Sequence, residues 1–309
     1  MNKKIIIDMD IGDDIDDAFA LLTAMELNAD IIGITTVFGN TNERARITKK
    51  LMKLFGKGYE NVPVYAGYGT PLAEKDKDDG HLCQYTPDID TDDFKPDSIV
   101  PEEAVDFIIR SCKTYGENLK IIAIGPFTNI ARVILKDKFA LNRAGEIIIM
   151  GGAYYKHYVD WNVLCDVEAA KLMFESVNNI HCLGADVTHQ LKISEKEDTR
   201  IEFYSGSRSD LKYLSELYRL WKVQSGSIAV LHDPLAIFYS FEHNYVSSEC
   251  IPVTVIESGY ARGITLNIKG YGKAAYNPEY NGFDMSKTHT VAHSVDRERV
   301  IFDFIKFFK

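Results

Sequence analysis

Six aspartates crowd a short stretch near the start of the chain, at positions 8, 10, 13, 14, 16 and 17 of IIIDMDIGDDIDDAFA, around a single glycine, Gly12. One or two such acids can serve as helix caps, each contributing roughly 0.5 to 1 kcal/mol. Six cannot, because two carboxylates about 4 Å apart repel by roughly 4 kcal/mol at an effective dielectric near 20. Either some carry protons or a cation holds them, and a hard divalent ion with oxygen ligands is the economical solution. Much later in the chain Asp233 follows His232 in an otherwise apolar run, LHDPLA. Capping and core packing explain these two residues singly; beside the early aspartates they read as a metal ligand and a proton carrier.

The elements that position these groups follow from periodicity. Ile5, Ile6 and Ile7 are the β-branched run of a strand buried on both faces, and from Ala18 the apolar residues Phe19, Leu22 and Met25 recur in threes, as on a helix. The stretch is therefore strand, tight turn and helix, with the acids at the turn. Strand alternation sends Asp8 and Asp10 the same way, and the helix start brings Asp16 and Asp17 to the same end. Further strands are expected at 31–37, 62–65, 119–124, 146–150, 181–187, 251–256 and 263–268, the last two as a hairpin through Ser258-Gly259. Helices are expected from an Asn42 cap to Phe55, over 101–115, from Thr128 or Asn129, behind Asp166, over 211–223, from Leu231, and over 300–308. This alternation predicts one α/β domain over residues 1–309, a mostly parallel, doubly wound, Rossmann-like sheet flanked by helices. Ligands of such sheets sit beyond the carboxyl ends of the strands, where Asp10 and Asn40 stand.

Two irregular segments interrupt the pattern. Over residues 68–100 periodicity vanishes, which predicts a long loop or lid; its charges read as a solvated surface, and His81 is the residue in it with chemistry to offer. After Gly151-Gly152 the run YYKHYVDWN brings Tyr154, Tyr155, Tyr158, Asp160, Trp161 and Asn162 to a strand's carboxyl end, where they either pack the rim or wall a ligand.

With 309 residues, 46% of them hydrophobic, the chain is long enough to bury the core of one large domain. A net charge of −10 without a basic stripe argues against DNA or RNA and for a small neutral or cationic ligand. The five cysteines are scattered without a CxxC, so neither a disulfide framework nor a zinc site is expected, and the compartment reads as reducing. MNKK runs directly into a strand and no stretch approaches a membrane span, so the expectation is a cytoplasmic protein with no membrane partner. No internal repeat, P-loop or GxGxxG is present. An EF-hand loop opening at Asp8 would need Glu at its twelfth position, which is Phe19. A haloacid dehalogenase-type phosphatase also opens on a strand ending Asp-x-Asp and remains an alternative, with Asp8 and Asp10 as nucleophile and acid. A non-catalytic, calcium-dependent ribose-binding module is another.

The chain resembles the nucleoside hydrolase family of the inosine-uridine preferring type. The run from Asp8 to Ala18 is similar to the family's opening Asp-x-Asp-Pro-Gly-x-Asp-Asp-Ala, and Thr35-Thr36-Val37-Phe38-Gly39-Asn40, Gly125-Pro126-Phe127-Thr128-Asn129, Met150-Gly151-Gly152-Ala153, Trp161-Asn162 with Asp166, and His232-Asp233-Pro234 follow in the family's order. The resemblance implies calcium-dependent hydrolysis of the N-glycosidic bond of ribonucleosides, in nucleoside salvage, by a homodimer or homotetramer. It implies a Ca²⁺ held by Asp10, Asp17, the Thr128 carbonyl and Asp233, with Asp10 as general base on a metal-bound water. Asp16 and Asn40 would then hold the 2′- and 3′-hydroxyls, Asp160 and Asn162 the 5′ end, and His232 would lie near the base and protonate it. His81-Leu82 matches the family's His-Gly only loosely, as part of the substrate site. The family's Pro is Ile11 here and two extra residues precede Asp16-Asp17, so Asp13 and Asp14 stay open as alternatives to Asp16. Base preference stays open as well.

Overall fold

The structure, a computed structural model, describes residues 3–73, 82–178, 180–269 and 286–309. Among the described residues eight strands form one sheet in the order β3 (Val64–Ala66), β2 (Asp30–Thr36), β1 (Lys4–Met9), β4 (Leu119–Ala123), β5 (Glu146–Met150), β6 (Ile180–Leu183), β10 (His289–Val295) and β7 (Val246–Ile251). Neighbours are parallel except β7, which runs antiparallel along β10 at the edge. The β-branched run makes β1 the middle of the parallel part: Ile7 stands opposite Ile34 of β2 on one side and Ile122 of β4 on the other. Because the chain leaves β1 first to β2 and later returns on the opposite side as β4, a crevice opens beyond the end of β1, the usual ligand position in such sheets.

Alternation divides the β1 isoleucines between two cores. Ile5 and Ile7 pack with α1 (Asp16–Glu26), α2 (Thr41–Phe55), α9 (Ser209–Ser225), α10 (His232–Phe241) and the C-terminal helix Arg297–Ile305, through Phe19, Leu51, Leu217, Phe238 and Phe304. Ile6 faces α3 (Pro101–Tyr115), α4 (Thr128–Lys136) and α6 (Val167–Ser176) through Ile108, Ile130 and Met173. Each such side chain contributes roughly 1.5 to 3 kcal/mol by leaving water. The doubly wound α/β expectation is thus met, as is the hairpin: β8 (Val253–Val255) pairs antiparallel with β9 (Thr265–Asn267).

Several boundaries differ from expectation for identifiable reasons. The run 181–187 is not all strand: β6 ends at Leu183, Gly184 breaks it, and the chain turns into the short α7 (Ala185–Thr188), whose Ala185 N–H donates to Gly152 O. Pro252, lacking an N–H, separates β7 from β8 where one strand was expected. Asn40, not Asn42, caps α2, accepting from the Glu43 N–H at 3.3 Å. The acids of the loop over 68–100 are not merely solvated. Asp88, Asp90, Asp93 and Asp97 pair with Lys50, Arg46, Lys53 and Lys49 on the basic face of α2, while Leu82, Gln84 and Ile89 are buried.

Candidate active site

Beyond the end of β1 the chain must turn sharply, and Gly12 makes this possible with φ at +131°, a conformation L side chains rarely adopt. The turn delivers Asp16 and Asp17 to the first positions of α1, where the helix dipole favours negative charge. The N-cap position is Ile15, whose side chain cannot accept a hydrogen bond, so no side chain caps this helix end. Asp17 Oδ1 instead accepts from the Asp10 N–H at 3.1 Å and folds the turn on itself. Helix α10 packs on α1 and brings Asp233 in from its own first turn. Carboxylate oxygens of Asp16, Asp17 and Asp233 come within 4.8 Å of one another. Asp10 completes the acidic wall; a Cβ at Gly125 would lie 2.8 Å from its Oδ1, so only glycine fits at the end of β4.

These four carboxyls are 3% to 8% exposed. Burial pushes Asp10 up to about 7, against the pull of Arg44 and with Asp13 raising it further. Burial, then the neighbouring carboxylates, raise Asp16, Asp17 and Asp233 well above the carboxylate range. Such a set holds protons or a cation, and an all-oxygen donor set of this density fits a hard divalent ion.

The acids face a cavity of about 520 Å³, a size suited to a small organic ligand. Its other walls are Asp160, Trp161 and Asn162, then Tyr158, His189, Gln224 and His232. Asp160 caps α5 (Trp161–Cys165) by accepting from the Val163 N–H at 3.3 Å, and burial lifts its carboxyl to about 6. Asn162 Nδ2 donates to Ile124 O at 2.7 Å and Met150 O at 3.1 Å, tying the ends of β4 and β5 together. His232 Nδ1 lies 2.6 Å from Thr188 Oγ1, and its ring meets that of His189 edge-on at 5.1 Å. Burial first, then His189, lowers His232 to about 3, so the imidazole is neutral at physiological pH.

The structure therefore brings together Asp10, Asp16, Asp17, Asp160, Asn162, His232 and Asp233. Asn40 and Thr128 are not among the residues that line the cavity: Asn40 is an exposed helix cap, and the Thr128 side chain donates from Oγ1 to Asp166 Oδ2 at 2.6 Å, a bond that does not bear on the expectation for its carbonyl. His81 lies outside the described residues. Asp8 is also off the cavity wall, its Oδ1 accepting from Thr35 Oγ1 at 2.5 Å and Asn129 Nδ2 at 2.7 Å. Asp13, which pairs with Arg44 at 2.8 Å, and Asp14, which accepts from the Ile15 N–H, also line the cavity, while Asp16 is the one whose carboxylate joins those of Asp17 and Asp233 within 4.8 Å. Sequence reading missed Arg44, Gln84, His189 and Gln224; the first two carry no local signal, and His189 follows a run taken for strand.

The model of the inosine-uridine preferring nucleoside hydrolase family matches residues 5–301, and the chain belongs to that family. Among its relatives, uridine nucleosidase 1 of Arabidopsis thaliana is 29% identical over 99% of this chain and 92% of its own length. The pyrimidine-specific ribonucleoside hydrolase RihB of Escherichia coli is 31% identical over 88% of this chain and 90% of its own. The solved structure of a plant nucleoside hydrolase, the PpNRh1 enzyme, matches with a TM-score of 0.83 at 27% identity, covering 100% of this chain and 99% of that one. The protein is thus a hydrolase acting on N-glycosyl compounds. Family membership sets aside the phosphatase alternative.

Proposed function

We propose that the protein hydrolyses ribonucleosides to free base and ribose with Ca²⁺ as its resident ion, and that Asp10, Asp16, Asp17 and Asp233 form the sugar and metal end of the site. The observation that carries this reading is the cluster of Asp16, Asp17 and Asp233, three buried carboxylates within 4.8 Å, with Asp10 beside it. When bound, Ca²⁺ supplies a Lewis acid that polarises water and grips vicinal hydroxyls. Asp10, which burial holds near neutrality, takes the proton of the attacking water. Water oxygen bonds to the anomeric carbon, the N-glycosidic bond breaks, and its electron pair leaves with the base. The transition state is oxocarbenium-like, and the buried anions stabilise its positive charge. Asp16 orients ribose hydroxyls. Asp160 and the free Oδ1 of Asn162 receive the 5′ end.

His232 serves the leaving base. A Thr188 hydroxyl that donates to Nδ1 leaves the ring hydrogen on Nε2, the tautomer able to donate to the base. In its neutral state the ring acts by hydrogen bonding rather than as a standing imidazolium. On the family resemblance, Asn40 holds a ribose hydroxyl and the Thr128 carbonyl is a further ligand of the ion. A role in nucleoside salvage, a cytoplasmic location and a homo-oligomeric assembly accord with this activity; among the described residues no helix is long and apolar enough to cross a membrane.

The test is incubation with a panel of purine and pyrimidine nucleosides, with and without Ca²⁺, read by reducing-sugar release. Ca²⁺-dependent release from at least one ribonucleoside is expected. Release from none, at any Ca²⁺ concentration, contradicts the reading.

A further inference from the structure

Arg44, on α2, is the bulkiest fully buried side chain among the described residues. Its guanidinium donates to the acidic turn and to the chain just beyond β2. Nε donates to Phe38 O at 2.7 Å, Nη1 to Asp10 O and to Ile11 O (3.1 Å for the latter), and Nη2 to Asp13 Oδ2 at 2.8 Å. A guanidinium cannot shed its proton, and its planar fork fixes several acceptors at once. The acceptors it fixes are the residues that leave β1 toward the acid cluster and Phe38, which ends β2 with a left-handed φ of +66°.

From the other side the turn is gripped by Gln84. Its Nε2 donates to Asp13 O at 3.1 Å and Asp14 O at 2.7 Å, and its backbone N–H donates to Gly12 O at 3.1 Å. The turn is closely packed between the two grips: a Cβ on Gly12 would lie 3.2 Å from Leu82 Cδ1 and 3.5 Å from Arg44 Nη1. By the resemblance this turn carries two residues more than the family's opening motif, among Asp13, Asp14 and Ile15, and the grips of Arg44 and Gln84 fall on that stretch. Helix α2 does not need Arg44 for attachment, since Ala45, Ile47, Leu51 and Met52 already bury its apolar face.

We propose that Arg44 is a resident cation that preforms the acidic turn, with Asp13 as its counter-anion and Gln84 as a second clamp, so that Asp10, Asp16 and Asp17 stand in place before any metal arrives. Arg44 is not among the residues that line the cavity; it is a positioning residue. The reading of residues 10–17 as a metal loop underlies this proposal, and the experiment separates the two.

Amide hydrogen exchange is measured on the full wild-type chain after EDTA treatment, with and without Ca²⁺, together with calorimetric Ca²⁺ titration of wild type, Arg44→Lys and the charge-neutral pair Arg44→Met with Asp13→Asn. In the metal-free wild type, the peptide covering residues 10–17 is already protected, including the Asp10 amide held by Asp17. In both variants Ca²⁺ affinity falls about 10- to 100-fold, the usual loss when a group supporting metal ligands is removed, and protection of that peptide drops. A loss that persists in the charge-neutral pair marks geometry rather than net charge. The proposal is overturned if the wild-type peptide exchanges freely until Ca²⁺ is added, or if folded variants bind Ca²⁺ within twofold of wild type. If the variants do not fold, the wild-type exchange result alone decides. A protected loop in a wild type that binds no Ca²⁺ overturns the metal reading and spares the clamp.

Discussion

The two ends of the crevice are built on opposite terms. At one end Asp10, Asp16, Asp17 and Asp233 are buried, and the segments that carry them are tied down by Arg44, Gln84, the β1 ladder and two packed helices. At the other, Tyr158, His189 and Gln224 meet solvent, and the protein ties there are fewer, among them Tyr158 Oη to His189 Nδ1 at 3.0 Å. The first end concentrates charge in a rigid, dry setting, where an electrostatic contact is strong and misplacement costly. The second offers neutral donors and acceptors on adjustable side chains. Ribose is common to all ribonucleosides and the base is not; under the proposed placement of the sugar at the acids, rigidity falls where the substrate is constant and latitude where it varies.

The sharpest way to break this comparison is at Asp10. Asp10→Asn preserves shape and one ligand oxygen but removes the base, and kcat at saturating Ca²⁺ should fall by on the order of 10² to 10⁴ with KM much less affected. Steady-state kinetics on the best nucleoside of the panel decides, and a nearly unchanged kcat contradicts the assignment.

At His232, which lies between the acids and the solvent-facing residues, the effect should be smaller and depend on the leaving group. His232→Ala should slow a natural nucleoside by on the order of 10²-fold, while a para-nitrophenyl riboside, whose leaving group needs no donor, changes by less than about threefold. Equal losses on the two substrates would reduce His232 to packing and move attention to His189 and Tyr158.

A third prediction concerns pH. Burial holds Asp8 and Asp10 at about 7 in the fold. A carboxyl raised in this way contributes stability that is complete below the ordinary carboxylate range and lost as pH rises through about 7. The metal-free protein should therefore melt lower at pH 8 than at pH 5. Ca²⁺ requires the deprotonated acids, so its increment in Tm should be larger at pH 8. Melts in EDTA and in Ca²⁺ at both values check this; a metal-free Tm that rises between them contradicts it.

The smallest effect is expected at Trp161, which is 59% exposed and meets Phe38 edge-on at the cavity wall. Trp161→Ala should raise KM by roughly two- to tenfold, the worth of one aromatic contact, and leave kcat nearly unchanged. A kcat that falls by more than KM rises would place Trp161 among the groups that act in the transition state.

Much of this was legible in the sequence where signals are local. The isoleucine run of β1, the glycine turn and the acids crowded beyond repulsion define the first strand, the site's place in the sheet and its oxygen-rich chemistry. What escaped was set by distant partners. Strand β10 lies between β6 and β7 although its sequence, HTVAHSV, is broken by polar residues, because its pairing is fixed by chain segments far away. Asp88, Asp90, Asp93 and Asp97 read as simply solvated until α2 supplied three lysines and Arg46 as their partners. Arg44 is one of five basic residues on an amphipathic helix, and only the folded structure shows it turned inward beneath the aspartates while the others face the 88–97 loop.

The central claim is that the carboxylate cage works with a bound Ca²⁺. Purified protein analysed for metal content, stripped with EDTA, assayed with a nucleoside substrate and assayed again after Ca²⁺ is restored tests it most directly. The account predicts about one Ca²⁺ per chain, activity lost on stripping and recovered on restoration. Full activity in the verified metal-free protein would contradict it.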